Sequence, residues 1–278
     1  MSRVIGILSW FDESPTWLAA TVASMARVCD HIVAVDGRYA HYEDRRQRSG
    51  AEQHDAIVET CRGTGVGLTL HTSNRVWPTE MAKRTHCFRL ASLEAETFKD
   101  WMFILDGDEV LVESPSWIRD QLDELANEGI NVVGVDLHEI IDPHSNPEKS
   151  ALSRKLELDY EYTSTSPRFW RALDDLRVDG QHFHYTGVDE HGERVVLWAQ
   201  QRCIEEGAPE GGMVWNILDE RWQHLAHWAD WSGHVRIENR CLMRDRKRFL
   251  KRQEYYQLRD ELGIESSTPT TQESTREP

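Results

Sequence analysis

Apolar and polar positions follow a repeating order through the first half of the chain. Five short segments rich in apolar residues have the length of strands: residues 4–8, 31–35, 67–71, 101–105 and 131–137. Strands that are apolar along their whole length are typical of parallel sheets covered on both faces. The pattern therefore predicts a five-stranded sheet in this part of the chain.

Helical spacing of apolar residues fills the intervals between these runs. The predicted helices cover residues 16–29, 49–62, 80–99 and 116–128. Ser14 stands at the cap position of the first helix and Pro15 in its first turn. Strands that alternate with helices predict an α/β fold, in which ligands lie beyond the carboxyl ends of the strands.

The alternation weakens after residue 140, and this change predicts the domain organisation. Residues 1–140 are expected to form a nucleotide-binding α/β domain, and residues 141–263 an acceptor region of helical and irregular structure. Residues 234–263 carry alternating charge and spaced apolar positions, which predict a long surface helix. Residues 264–278 are rich in Ser, Thr, Pro and Glu, and we expect a disordered tail.

Composition and charge exclude several classes of protein. A net charge of −16 disfavours duplex nucleic acid as a partner, because binding it requires neutralised phosphates. The five cysteines form no C-x-x-C pair, which argues against a disulfide framework or a zinc ribbon. No stretch reaches the roughly 18 apolar residues of a membrane span. We therefore expect a cytoplasmic protein without an integral membrane segment.

The acidic triplet Asp106-Gly107-Asp108 directly follows the fourth apolar run. Two carboxylates this close together suit Mg²⁺ or Mn²⁺, which prefer oxygen ligands and bridge to substrate phosphates. A glycine between them permits a tight turn and the close approach of a diphosphate. Asp-Gly is also a common turn dipeptide, so the triplet alone fits a plain turn as well.

The surroundings of the triplet favour the metal site. Residues 101–109 resemble the strand and D-x-D motif of glycosyltransferases with the GT-A fold, particularly family two. Residues 7–13 resemble the loop of that family usually written Tyr-Asn-Glu, and residues 32–37 resemble its second strand, which ends in Asp. The likeness covers residues 4 to 110 well and the remainder loosely.

Residues 81–85 resemble the helix of the family in which a basic residue and Arg-Asn precede an apolar face. Two departures from the family pattern stand out. Thr85 replaces the usual Asn, and the Ser-x-Asp that usually follows Asp36 is replaced by Arg38-Tyr39-Ala40. The resemblance therefore implies no contacts for the residues that follow Asp36.

The resemblance implies a GT-A-like, Rossmann-type, mainly parallel sheet flanked by helices, with a C-terminal acceptor subdomain. It implies a Mn²⁺ or Mg²⁺ cofactor, ligated most directly by Asp108, with Asp106 near the ribose or a water of the metal. The residues that it places around the nucleotide are Ser9, Trp10, Phe11, Glu13, Asp36, Lys83, Arg84, Asp106 and Gly107. Lys83 and Arg84 also fit the solvated face of a helix.

The second half of the chain offers a further metal ligand. Members of the family often supply a C-terminal His, for which His227 and His224 are the candidates; the pair His227-Trp228 fits the family better. Both would lie on one face of a helix. A histidine among tryptophans also fits a packed structural role.

The catalytic base stays open between several residues. Residues 166–171 resemble the Arg-Leu-Phe-Arg strand of the family, and residues 178–184 follow where relatives carry a Gly and then His-Glu. That Glu is absent here. An inverting transfer needs a group that takes the proton of the acceptor hydroxyl, and the candidates are Asp189, Glu190, His182 and His184. A retaining mechanism assisted by the leaving diphosphate is the alternative.

The leading interpretation is a hexosyltransferase-like glycosyltransferase. It would move a sugar from a nucleotide-sugar donor, expected to be UDP-linked, to a hydroxyl of a glycan, protein or small molecule. A Mg²⁺-dependent nucleotidyltransferase is the first alternative, although residues 9–13 are acidic and aromatic rather than glycine-rich and basic. A non-catalytic nucleotide-sugar-binding protein is the second, although we would expect its metal triplet to be broken.

Overall fold

The computed structural model describes residues 2–40, 47–72, 76–139, 163–179, 184–198, 201–203, 214–216 and 228–239. The elements of the first half are β1 (Val4–Trp10), α1 (Pro15–Met25), β2 (His31–Asp36), α2 (Ala51–Thr64), β3 (Gly67–His71), α3 (Glu80–Ser92), β4 (Trp101–Asp106), β5 (Glu109–Glu113), α4 (Ile118–Asn127) and β6 (Val132–Glu139). Those of the second half are β7 (Thr163–Arg171), β8 (Asp174–Asp179), β9 (His184–Val188), β10 (Arg194–Trp198), β11 (Gln201–Cys203), β12 (Val214–Asn216), β13 (Trp228–Asp230) and β14 (Arg236–Asn239).

A nine-stranded sheet runs through the centre of the described structure. Its order is β3-β2-β1-β4-β7-β6-β14-β5, with β13 paired to β6. The block β3-β2-β1-β4 is parallel, whereas β7 lies antiparallel between β4 and β6. The predicted α/β fold with a mainly parallel sheet is confirmed.

Both faces of the sheet are covered, as the apolar runs predict. Successive residues of β1 point to opposite faces, so Leu8 packs in one core and Ile7 in the other. The first core is closed by α1, α2 and α4, and the second by α3 and the small sheet β10-β9-β8. No helix within the described ranges is long and apolar enough to cross a bilayer.

The five predicted strands correspond to β1, β2, β3, β4 and β6, and all four predicted helices of this region are present. The third helix ends at Ser92, seven residues before the predicted end. The carboxylate of Asp100 explains the difference, because it accepts hydrogen bonds from the backbone N–H groups of Glu96 and Thr97. Local side-chain acceptors of this kind compete with the helix for backbone donors.

Two short strands depart from the sequence prediction. The strand β5 was not predicted at all. The helix predicted from residue 234 is wrong at its start, because residues 236–239 form β14 between β6 and β5. Val235 and Ile237 are fully buried, so the apolar positions in this segment follow the two-residue period of a strand. Residues 240–278 lie outside the described structure.

Strands from beyond residue 140 belong to the same sheet as the first half. Arg171 of β7 shows how closely they are joined: its guanidinium donates to the carbonyl oxygens of Phe98 and Ala126 and lies over the ring of Trp101. The central sheet therefore extends past the domain boundary predicted at residue 140.

Phe169→Ala tests this joint core. Phe169 of β7 is fully buried, stacks on Phe103 of β4 at 4.4 Å between ring centroids, and contacts Trp231. We expect its truncation to lower the free energy of unfolding by about 3–5 kcal/mol in urea denaturation. Leu93→Ala, at an apolar residue that is 78% exposed, should change it by less than about 0.5 kcal/mol. Equal stabilities of the two variants would contradict the joint core.

Candidate functional site

The carboxyl ends of β1, β2 and β4 meet at one edge of the sheet. Trp10 at the end of β1 is in register with Asp36 of β2, and Ser9 is in register with Asp106 of β4. The strand order changes direction here, since the chain runs from β1 to β2 on one side and later returns as β4 on the other. Such a switch point opens a crevice where ligands bind in open α/β sheets.

The acidic triplet forms the turn between β4 and β5. The N–H of Gly107 donates to the carbonyl oxygen of Ser9 at 3.1 Å, and the hydroxyl of Thr21 donates to the carbonyl of Gly107 at 3.3 Å. A Cβ at position 107 would lie only 2.9 Å from the Cβ of Trp10 and 3.0 Å from the Cγ of Glu13. The glycine is therefore required so that the turn can lie directly against the loop after β1.

Arg84 of α3 is paired with the first carboxylate of the turn. One guanidinium nitrogen lies 3.2 Å from each carboxylate oxygen of Asp106 and 2.9 Å from Glu80. Burial would raise the pKa of Asp106, but the charges of Arg84 and Arg168 hold that pKa below its ordinary value. Asp106 is thus a carboxylate that keeps its charge and faces a cation.

Glu109 and Arg168 form a second, more deeply buried ion pair beside the turn. Their side chains are separated by 2.6 Å and are 2% and 8% exposed. Burial raises the pKa of Glu109 to about 7; Arg168 opposes the shift, and the neighbouring carboxylates of Asp106 and Asp108 add to it. Asp108 is itself buried, with 5% of its surface exposed.

Lys83 connects the loops that follow β1 and β2. Its side chain is buried, and its ammonium group donates to the carbonyl oxygens of Trp10 at 2.7 Å and Gly37 at 3.0 Å. The same group lies 5.1 Å from the ring centroid of Tyr39. Burial lowers the pKa of Lys83 to about 8, although the charges of Asp36 and Asp106 oppose the shift. A solvated helix face for Lys83 is wrong.

Asp36 is fully buried and bonded within the protein. Its carboxylate accepts hydrogen bonds from the backbone N–H and the hydroxyl of Ser49 and lies 3.2 Å from Nε2 of His54. The hydroxyl of Ser49 in turn accepts from the N–H of Asp12 at 2.8 Å. A direct contact between Asp36 and a nucleoside would therefore require Ser49 or His54 to move.

The loop after β1 lies against these groups. The hydroxyl of Ser9 is 3.4 Å from that of Tyr39, and the buried ring of Trp10 contacts His54 edge-on at 5.1 Å. Phe11 is half-buried, and Glu13 is buried against Gly107. The structure thus brings together at one edge all of the residues predicted to bind the nucleotide.

Two of the predicted base candidates do not belong to this edge. The carboxylate of Asp189 accepts the N–H groups of His191 and Glu193 and so forms the turn between β9 and β10. Burial lowers the pKa of Arg171, and the charge of nearby Glu190 opposes this shift. Since Arg171 is in register with Trp101, at the amino end of β4, Asp189 and Glu190 lie toward the wrong end of the sheet for a base at Asp106.

The histidine candidates are only partly described. His184 begins β9, and its backbone is in register with Asp179 at the other end of that strand from Asp189. The predicted ligands His224 and His227, and the base candidate His182, lie outside the described residues. Within the described part of the chain, no group of three or more His, Cys, Asp or Glu side chains is arranged to hold a metal ion.

Sequence reasoning assigned no role to several residues that organise the site. Glu109 lies in the segment 101–109 that resembles the D-x-D motif, and Arg168 lies in the segment 166–171 that resembles a strand of the family. The resemblance gives a function to neither residue. Ser49 was assigned only to a helix, and His54 carried no signal, because neither is near Asp36 in the sequence.

The comparisons with known proteins assign no function to this chain. No protein-family model matches the sequence, and no curated protein is significantly similar to it. Among solved structures the chain is similar to a CMP:2-keto-3-deoxy-manno-octonic acid synthetase complexed with CTP, with 10% identity and a TM-score of 0.32. The match covers 62% of this chain and 75% of that chain. A likeness this distant assigns no activity.

Gly107→Ala should disturb the acidic turn. The added methyl group would meet backbone-proximal atoms of Trp10 and Glu13, so we expect a loss of about 1–3 kcal/mol in the free energy of unfolding. Gly63→Ala in α2 is the matched control, because a Cβ there meets nothing within 4 Å. That variant should gain about 0.5–1 kcal/mol from its helical position. A neutral Gly107→Ala would contradict the close contact.

Lys83→Met should change how stability depends on pH. The folded-state pKa of Lys83 is lowered to about 8, so the unfolded chain binds more protons above that pH. Unfolding free energies of the wild type minus those of the variant should therefore rise between pH 8 and about 10.5, by up to about 1.4 kcal/mol per pH unit. A difference that stays flat or falls across this window would show that Lys83 is not buried as described.

Proposed function

We propose that this chain is a metal-dependent glycosyltransferase that takes a sugar from a nucleotide sugar, expected to be UDP-linked, and transfers it to a hydroxyl acceptor. One observation carries the proposal. The acidic triplet lies at the switch point between β1 and β4, with its glycine bonded to Ser9. A diphosphate and its metal ion would bind in that crevice.

The described residues fit a Mg²⁺ or Mn²⁺ ion of this kind. Such ions are held by one or two carboxylates together with water and substrate phosphates, so they do not need a complete protein cage. Asp108 and Asp106 would supply the carboxylates, and His227 or His224 stays a predicted additional ligand. When bound, the ion would supply Lewis-acid stabilisation of the charge on the leaving diphosphate.

The basic residues of α3 support the same assignment. Arg84 already lies beside Asp106, so a cation is held where the diphosphate would bind. Fixed positive charge at that position stabilises a leaving group on which negative charge builds. Lys83 would contribute less directly, because its ammonium group is used to hold the loops after β1 and β2.

Asp36 would act on the nucleoside through its partners. Since its carboxylate is bonded to Ser49 and His54, it would shape the pocket by fixing the start of α2 against the loop after β1. His184 and His182 stay the predicted candidates for the base, and the acceptor stays a glycan, protein or small molecule.

A donor screen tests the proposal. The protein would be incubated with UDP-, GDP- and dTDP-sugars in the presence of Mn²⁺ or Mg²⁺, and release of the nucleoside diphosphate would be measured. We expect metal-dependent hydrolysis of one donor class. A parallel assay for pyrophosphate release from nucleoside triphosphates and sugars would identify a nucleotidyltransferase instead. Activity in neither assay, with no binding of any donor, would overturn the proposal.

Asp108→Ala tests the metal site by calorimetry with UDP. UDP should bind the wild type weakly without metal and at least tenfold more tightly with Mn²⁺, a factor equivalent to about 1.4 kcal/mol. The variant should lose this enhancement, whereas Asp120→Ala, at an exposed residue of α4, should keep it. UDP binding that is independent of metal in all three proteins would exclude the proposed site.

A further inference from the structure

The carboxylate of Glu109 joins the acidic turn to the second half of the chain. One oxygen accepts the backbone N–H of Asp106 at 2.9 Å. The other accepts from Arg168 of β7 at 2.6 Å and from Asn239 of β14 at 3.5 Å. Glu109 is the first residue of β5, and its side chain thus accepts hydrogen bonds from residues of three other strands, β4, β7 and β14.

These contacts fix the part of the turn that glycine leaves free. The N–H of Gly107 donates to Ser9 near the end of β1, and its carbonyl accepts from Thr21 of α1. The N–H of Asp106, in contrast, donates to the carboxylate of Glu109 at the start of β5, and Arg168 holds that carboxylate. The directions in which the carboxylates of Asp106 and Asp108 leave the backbone therefore depend on where Arg168 holds Glu109.

We propose that Glu109 and Arg168 are positioning residues, which set the geometry of the Asp106-Gly107-Asp108 turn for a divalent cation. The inference rests on the proposed function for the identity of the ligand, and on the contacts above for the mechanism. Neither residue touches reacting atoms in this role. Groups that orient metal-ligating carboxylates commonly change metal affinity by about 10- to 100-fold when they are removed.

The experiment must separate two effects of Glu109 on cation affinity, because this residue both positions the turn and contributes a negative charge close to it. Glu109→Asp keeps the charge but shortens the side chain by one methylene group, so it cannot hold Asp106 N–H and Arg168 together. Glu109→Gln removes the charge and offers a single acceptor oxygen. Positioning predicts that both variants lose cation affinity, whereas a pure charge effect predicts that only Glu109→Gln does.

Two further variants keep the test interpretable. Glu109→Gln alone leaves Arg168 buried without its countercharge, and such variants fold poorly. The double variant Glu109→Gln/Arg168→Met removes both charges and should fold while still lacking the geometry. Glu113→Gln is the matched control, because Glu113 lies at the other end of β5 in an exposed pair with Arg236.

The experiment measures the dissociation constant for Mn²⁺ alone by electron paramagnetic resonance, on the full chain, with circular dichroism to confirm folding. We expect affinity to fall about tenfold or more in Glu109→Asp and in the double variant, and to stay within about twofold in Glu113→Gln. Wild-type affinity in Glu109→Asp would overturn the positioning role. Mn²⁺ binding that is lost equally in Glu113→Gln would overturn it too.

Amide hydrogen exchange provides a readout that does not require the metal. The segment 101–113 should exchange faster in Glu109→Asp than in the wild type, while the segment 31–36 of β2 stays unchanged. If the wild type binds no Mn²⁺ but this change is seen, the proposed function fails and the positioning of the turn stands. Unchanged exchange in the turn would overturn the inference whatever the metal result.

Discussion

The buried ammonium group of Lys83 holds the functional edge of the sheet together. A charged group removed from water is costly unless hydrogen-bonding partners replace the water, and here the carbonyl oxygens of Trp10 and Gly37 do so. These carbonyls belong to the segments that leave β1 and β2, so one side chain of α3 sets the distance between them. On the other side of β1, the bond from Gly107 to Ser9 fixes the acidic turn. Both flanks of the crevice are thus built on β1.

Opposite charges alternate through the layer beneath this crevice. Arg84 faces Asp106, and Arg168 faces Glu109. The Arg168–Glu109 pair is buried, whereas the Asp106 carboxylate is 35% exposed. A buried pair adds little to stability relative to apolar residues, but the loss of one partner is expensive. Their value here is geometric: each pair connects the acidic turn to a different element, α3 in one case and β7 in the other. The turn is therefore held from both sides, through Asp106 and through Glu109.

The sequence predicts the fold well where its signal is periodic and long. The runs that form β1 and β4 are almost wholly buried, because helices or a second sheet cover both of their faces, and this burial makes them visible in the sequence. The strands β5 and β14 escape prediction because they have only five and four residues and because charged side chains interrupt their apolar positions. In the site, the motif locates Asp106 and Asp108, because both residues directly follow a strand that can be recognised from the sequence alone. The partners of Asp36 could not be predicted, because Ser49 and His54 reach it from the next helix, and no local spacing encodes that contact.

A sequence motif does not tell at which end of a sheet a residue lies, and the candidates for the catalytic base illustrate this. Asp189 and Glu190 follow β9, and a strand of that length carries them about 13 Å from Tyr185. Tyr185 lies at the site end of that strand, since the charges of Arg84 and Asp106 act on its pKa, which burial raises. Asp189 instead uses its carboxylate to close a turn. Composition cannot separate these two uses of a carboxylate, but strand direction can. Of the predicted base candidates that the structure describes, His184 is the one whose backbone lies at the site end of β9.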